Sequence, residues 1–324
     1  MRIFVTGGAG YIGSVCVEEL LKYGHEVLVF DNMEEGHAEA VLAPATLTVG
    51  DLNNFAQVNA AVGEFRPDAV IHFAGKALVG ESMTNPYIYY QTNVMGGTNL
   101  LEAAVRAGCK KFVFSSSCAT YGPPEKIPMD ERIPQKPINP YGHSKLIFEQ
   151  VLKWYEKVHG VVFTALRYFN AAGASVANGE DRKVETHLIP IVLDVALGRR
   201  EFIGIFGENY ATPDGTCIRD YVHVIDLAEA HIKALDRTVS GFFNLGSGDG
   251  YSVRQVIDVA RKVTGHAIPA KIMPPRPGDP PRLVASANRA RMDLGWKPRF
   301  NKLPTIIETA WAWRQAHPKG YRSQ

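Results

Sequence analysis

Cysteine is scarce. Four occur in 324 residues, Cys16, Cys109, Cys118 and Cys217, far apart and never as CxxC. That excludes a disulfide-stapled scaffold and a cysteine zinc site, and leads us to expect buried, reduced thiols in a cytosolic protein. The ten histidines are scattered without a pair at metal-ligand spacing, so no metal is expected. Neither sign of charge is in excess: 35 Lys and Arg face 33 Asp and Glu, for a net +2. Nothing there invites nucleic acid or a membrane surface. No apolar run is long enough to cross a bilayer. The first residues read as a strand of the fold rather than a basic-then-apolar leader, so no signal peptide is expected and the expected location is cytoplasmic. Internal repeats and low-complexity tracts are also missing. What is present is 46% hydrophobic and 21% charged, enough core for one large domain or two moderate ones.

The first thirty-odd residues hold the clearest pattern. Arg2–Thr6 is a short apolar run with the character of a buried parallel strand. It breaks into Gly7–Gly8–Ala9–Gly10–Tyr11–Ile12–Gly13, and a helical pattern follows, with Val17, Leu20 and Leu21 apolar and Gly24 at its stop. Val27–Phe30 is a second strand, ending at Asp31. Gly7 permits the turn, Gly10 admits a pyrophosphate to the backbone, and Gly13 lets helix and strand pack closely. The helix N-terminus offers N–H groups to the phosphates. Asp31 suits the adenosine ribose and would repel a 2′-phosphate, which favours NAD over NADP.

Strands and helices then alternate, arguing for an α/β fold with a doubly wound parallel sheet. Strands are expected at Ala45–Val49, Ala69–Gly75, Lys111–Ser117 and Val161–Arg167, and helices at Asn93–Ala107 and Tyr141–His159. Asp51 and Leu52 follow the third strand. Asp51 suits either an adenine amine or the N-cap of the next helix. After Asn170 the pattern shortens and prolines gather between Ile268 and Pro281. We expect a dinucleotide-binding domain over 1–173 and a second, smaller α/β substrate domain over 174–324. The stretch 218–236 should pack back on the first.

The chemical signature is Tyr141–Gly142–His143–Ser144–Lys145. Residues four apart share a helix face, which brings Lys145 near Tyr141. A tyrosine normally loses its proton near pH ~10. A neighbouring cation, the helix N-terminus and bound NAD⁺ should lower that value and make Tyr141 a usable acid and base. Ser115–Ser116–Ser117 ends the preceding strand, and Ser117 is the expected partner for a substrate oxygen.

These motifs, with Arg167–Tyr168–Phe169–Asn170–Ala171–Ala172–Gly173–Ala174, His72–Gly75, Val79–Ser82 and Arg219–Val224, resemble the extended short-chain dehydrogenase/reductase superfamily and, within it, the UDP-glucose (UDP-galactose) 4-epimerases. The resemblance runs on through Arg276–Asp279 to Trp311. It implies a Rossmann-type fold, tightly held NAD, a UDP-sugar substrate and a homodimer. Tyr141, Lys145 and Ser117 would be catalytic. Gly7, Gly10, Tyr11, Ile12, Gly13, Asp31, Asn32, Asp51, Leu52, Phe73, Ala74, Gly75, Asn93, Ser115 and Tyr168 would line the NAD site together with Tyr141 and Lys145. Asn170, Arg219 and Arg276 would bind the diphosphate, Asp279 the uridine ribose, and His187, Leu188 and Phe206 would surround uracil, while Ser117 and Tyr141 meet the sugar.

Two positions depart from the family pattern. The cofactor-contacting lysine of several members aligns with Ala77, one place after Lys76. Leu283 stands where members carry Tyr or a small residue that admits N-acetylated sugars, so UDP-N-acetylhexosamines and UDP-pentoses stay open as substrates. Dehydration would use an Asp–Glu pair where this chain has Cys118–Ala119. A silent NAD-sensing protein would lack Tyr141 or Lys145, and both are present.

Overall fold

The computed structural model describes residues 1–276 and 278–321. Pro277, inside the Arg276–Asp279 match, lies outside them, as do residues 322–324 of the expected second domain. The first half follows β1 (Arg2–Thr6), α1 (Tyr11–Lys22), β2 (Glu26–Asp31), β3 (Thr46–Val49), α2 (Phe55–Phe65), β4 (Ala69–His72), α3 (Val79–Thr84), α4 (Pro86–Tyr89), α5 (Gly97–Arg106), β5 (Lys111–Ser117), α6 (Pro140–His159) and β6 (Val162–Tyr168). The second half adds β7 (Asn170–Ala172), α7 (Leu188–Ala196), β8 (Ile203–Phe206), β9 (Ile218–Arg219), β10 (Tyr221–His223), α8 (Val224–Ala234), β11 (Gly241–Leu245), β12 (Tyr251–Ser252), α9 (Val253–Thr264), β13 (Ala270–Met273), β14 (Arg282–Leu283), α10 (Asn288–Asp293) and α11 (Leu303–Ala316).

Seven parallel strands form the main sheet in the order β3-β2-β1-β4-β5-β6-β11. Side chains alternate across it. Ile3, Val5 and Val113 join α1 and α8 on one face. Phe4, Phe112 and Phe114 join α2, α5 and α6 on the other. Both faces are covered, so these strands read as continuous apolar runs rather than alternating ones. The chain leaves β1 for β2 and β3 on one side, then returns to β4 on the other. The crevice beyond β1 and β4 is the topological switch point where such sheets bind ligands.

Three details differ from the sequence expectation. Asn54, not Asp51, caps α2, taking the Gln57 N–H at 3.3 Å. Asp51 accepts the Asn53 N–H instead, at 2.8 Å, in a turn that ends before the helix. The helix expected from Asn93 starts earlier and winds as a π-helix over Tyr90–Gly96, leaving Asn93 buried. Finally, the return to the main sheet extends past residue 236. Helix α8 lies on α1, and β11 enters the sheet beside β6. A separate core joins α7, α9 and α11 with β8. Among the described residues no helix is long and apolar enough to cross a membrane.

Candidate functional site

The glycine turn is shaped by close approach. Gly7 has φ +69°, and a Cβ there would stand 2.5 Å from the Ala74 nitrogen. A Cβ on Gly13 would meet the Gly7 carbonyl carbon and the Gly8 Cα, each at 2.9 Å. Gly10 differs: the nearest protein atom to its Cβ would be the Gly7 oxygen at 3.5 Å. Space is therefore left on the ligand side of Gly10 alone, as a pyrophosphate cradle requires. Gly10 is also the N-cap of α1 and has no side chain to cover the first N–H groups. Those of Tyr11 and Ile12 belong to that turn. The Tyr11 hydroxyl does something else, donating to the Gly173 carbonyl at 2.6 Å.

Asp31 is buried at the end of β2. Burial raises its pKa, against the Met33 and Ala9 N–H groups that hydrogen-bond it at 3.0 and 3.1 Å. Each oxygen keeps a lone pair for a ribose hydroxyl. Asn32 is exposed beside it and caps the Glu34 N–H. Leu52 is buried below Asp51. Phe73, Ala74 and Gly75 leave β4 toward the same crevice. Asn93 clasps this turn, accepting the Lys76 N–H at 2.8 Å and donating to the Lys76 carbonyl at 3.0 Å and to Ser144 at 2.9 Å. Lys76 itself pairs with Glu34, across the loop after β2, while Ala77 is exposed.

The three serines of β5 have three partners. Ser115 hydrogen-bonds the Tyr168 hydroxyl. Ser116 donates to Glu149 at 2.6 Å. Ser117 accepts the Ala119 N–H at 3.1 Å, and its hydroxyl acts on the Tyr141 phenol against the effect of burial. Asn139 caps α6 through the Gly142 N–H at 2.8 Å and sets Tyr141 and Lys145 on its first turns. The Lys145 ammonium donates to the Ser115 carbonyl at 2.9 Å and lies 4.9 Å from the Phe114 ring centroid.

Burial pushes the Tyr141 phenol up to about 12, against the Ser117 hydroxyl and Arg182, so the expected lowering depends on the charge of bound NAD⁺. Burial also pushes Lys145 down to about 8, against the field of Glu149. Spacing in the sequence shows the charges around the phenol but not its desolvation.

The remaining candidates lie across the crevice on the second half. Asn170 spends its amide on the Asp220 carbonyl at 2.9 Å. Arg219 pairs with Asp279 and donates to the Ile218 and Pro280 carbonyls at 2.8 and 2.9 Å. Phe206 is 38% exposed, not core, and the Arg276 guanidinium sits 4.1 Å from its ring centroid. Leu283 pairs in register with Arg219 and packs in the cluster of Tyr121, Phe169 and Cys118. His187 is the N-cap of α7, with Leu188 its first residue. Its Nδ1 lies 3.0 Å from Glu180 and 3.2 Å from Glu185, and Arg182 holds Glu180 at 2.7 Å. Sequence reasoning missed this cluster, because its two acids come from a small, polar stretch that reads as loop. Their donor atoms could hold a cation with His187, but Arg182 already supplies a positive charge there. Sequence reasoning also missed Glu149 and Arg167 as a buried pair, although an acid on the apolar stripe of a helix is a readable signal.

Sheet order, switch point and glycine cradle define a Rossmann-type, dinucleotide-dependent α/β protein. The chain belongs to the NAD dependent epimerase/dehydratase family, whose model matches residues 3–246. A UDP-glucose 4-epimerase of Halalkalibacterium halodurans is 49% identical over 330 residues, covering 100% of this chain and 98% of that protein. A crystal structure of a UDP-glucose 4-epimerase matches with a TM-score of 0.97 at 46% identity, each chain covered in full. The Brucella ovis UDP-glucose 4-epimerase in complex with NAD matches at 0.93 and 42%, covering 96% of this chain and 97% of that one. NAD is the cofactor of this family, and the open face of Gly10 fits it.

Proposed function

We propose that this protein is a UDP-glucose 4-epimerase that interconverts UDP-glucose and UDP-galactose through a 4-keto sugar. The observation that carries this reading is the meeting of Tyr141, Ser117 and Lys145 at one sheet edge beside the glycine cradle. Tyr141 takes the proton of the sugar 4-hydroxyl while Ser117 holds the 4-oxygen. NAD, when bound, would supply the acceptor and donor for the C4 hydride and a positive charge that favours the Tyr141 phenolate. Asp31 and Asn32 hold its adenosine ribose, with Asp51 and Leu52 at the adenine. Phe73, Ala74, Gly75, Asn93, Ser115, Lys145 and Tyr168 line the rest of its site.

The keto sugar must turn without leaving, so the nucleotide end has to stay fixed. Arg219, Arg276 and Asn170 serve as that anchor on the diphosphate, a forked cation being suited to it. The diphosphate then competes with Asp279 for Arg219, which releases the Asp279 carboxylate toward the uridine ribose. Phe206 and the α7 start at His187 and Leu188 flank uracil. In this reading residues 1–173, with 218–236, carry NAD, 174–324 carry the UDP-sugar, and the reduced cysteines suit the cytoplasm. Met83, Tyr87, Met95, Trp154 and Val158 are exposed apolar side chains on α3, α4, the π-helix and α6. They are the face we assign to a homodimer.

The test is incubation with a panel of UDP-hexoses, UDP-pentoses and N-acetylated UDP-sugars, with 4-epimers read by NMR. UDP-glucose and UDP-galactose should interconvert without added NAD, and NAD should survive gel filtration. No conversion of any of them with NAD bound would sink the reading.

A further inference from the structure

Glu149 lies one helical turn beyond Lys145 on the same side of α6, and its carboxylate is buried. Both oxygens are fully used. Oε1 accepts Ser116 Oγ at 2.6 Å and Arg167 Nε at 2.9 Å. Oε2 accepts Arg167 Nη2 at 2.7 Å and Gln135 Nε2 at 2.9 Å. Four donors meet four lone-pair sites. They come from β5, β6 and the loop before α6. Arg167 extends the brace, donating to the Tyr121 hydroxyl at 2.9 Å, which donates to Asn244 of β11 at 2.7 Å.

Successive residues of a strand face opposite sides. Fixing Ser116 therefore holds the strand end on either side of it in the chain: the Ser115 carbonyl that receives Lys145, and Ser117 with its hydroxyl facing the other way. The groups facing the Lys145 ammonium are the Ser115 carbonyl and Phe114 ring of β5, His72 of β4, which burial keeps neutral by pushing it down to about 3, and Glu149. Glu149 is the one anion among these groups, and the Arg167 guanidinium of β6 is paired with it at 2.7 Å.

We propose that Glu149 is a positioning residue for the Tyr141–Lys145 face: through Ser116 and Arg167 it braces α6 against β5 and β6 and so fixes where the Lys145 ammonium stands. Burial alone drives that ammonium toward its neutral form, and Glu149 opposes the drive. A pair kept only for stability would leave the proton of Lys145 where it is.

The inference rests on the roles given above to Tyr141 and Lys145. Turnover of UDP-galactose by Tyr141→Phe tests those roles, whereas the titration of Lys145 does not depend on them. Lys145 is followed as the ¹³C-lysine NMR resonance that disappears in Lys145→Arg. In wild type it should titrate at about 8. In Glu149→Gln it should titrate about one unit or more lower, a tenfold loss of proton affinity. At neutral pH that drop takes the charged fraction from about nine-tenths to about half, so kcat should fall about twofold or more while KM and NAD content hold, the mark of an interaction absent from ground-state binding. If Glu149→Gln does not fold, Glu149→Met with Arg167→Met removes both charges together and is expected to fold. That double variant should show the same loss of kcat at unchanged KM. A folded Glu149→Gln in which Lys145 titrates as in wild type overturns the proposal, as does a folded double variant with wild-type kcat.

Discussion

Gly10→Ala separates the fold from the cofactor site. Gly10 has φ −85° and ψ 173°, extended backbone that alanine adopts without strain. The new methyl finds no protein atom nearer than 3.5 Å. In the protein freed of NAD, the loss of unfolded-chain freedom stabilises by about 0.4–1 kcal/mol. Alanine is a poorer N-cap by about the same amount. The two cancel, so Tm should stay within about 2 °C. NAD binding should respond differently. The methyl stands where the pyrophosphate approaches, and overpacking costs about 1–3 kcal/mol. Lifting the phosphates off the N-terminus of α1 adds about 0.3–1 kcal/mol. Together these weaken NAD roughly tenfold to 700-fold. Calorimetric titration of the NAD-free protein reads the affinity, and a thermal melt reads the fold. Gly13→Ala is the contrast: its Cβ would press on the Gly7 carbonyl and the Gly8 Cα, which are backbone and cannot swing away. That variant should lose stability even without NAD. Wild-type NAD affinity in Gly10→Ala would refute the placement of the pyrophosphate.

Tyr141→Phe should fold, retain NAD and lose about 10²–10⁴-fold in kcat, measured by coupled assay of UDP-galactose conversion; near-normal turnover would remove Tyr141 as the base. The Glu180–His187–Arg182 cluster sets a pH window for stability. Burial lowers His187, but Glu180 and Glu185 raise it above its ordinary 6.5, so its contribution is complete below 6.5 and is lost as pH rises. Burial raises Glu180, but His187 and Arg182 hold it below its ordinary 4.5, so its contribution is complete above 4.5 and is lost toward acid. Denaturant midpoints should therefore peak between these two values, and His187→Gln should flatten the alkaline fall. Leu283→Ala removes branched bulk beside Cys118 and Phe169. It should raise kcat/KM for N-acetylated UDP-sugars relative to UDP-glucose by about ten- to 100-fold, read by NMR competition.

Local features were legible in the sequence because local rules produce them. The strands β1 to β6 and the helices α1 and α6 follow from apolar runs, glycine stops and caps within a few positions of each other. Asp31 at the end of β2 and the Tyr141–Lys145 pair on α6 follow in the same way. What escaped depends on partners far along the chain. Strand β11 is five residues, GFFNL, and its place beside β6 is settled by the sheet edge it covers. The π-turn that buries Asn93 has no signal in residue type. The rise of the Tyr141 phenol comes from desolvation, which no spacing of charges reveals.

The glycine turn shows the same limit most clearly. Its strand, turn, helix and acid announce a dinucleotide site, but not how firmly the site is held. The structure ties it to the second half at several points. Tyr11 donates at 2.6 Å to the carbonyl of Gly173, the residue just before that half, and Ser175 hydrogen-bonds Glu18 of α1. His37 meets the Asp181 carbonyl at 3.1 Å, and Lys183 reaches the Glu34 carbonyl in the loop after β2. Every one of these contacts joins residues more than 140 positions apart. The segment 173–183 therefore lies against both α1 and the loop that follows Asp31, the two elements assigned to the phosphates and the ribose. Opening the cofactor site would break contacts to the half assigned to the UDP-sugar. An enzyme that borrows a hydride and returns it to the same substrate gains from that coupling, because NAD and the keto sugar are then confined by the same segment.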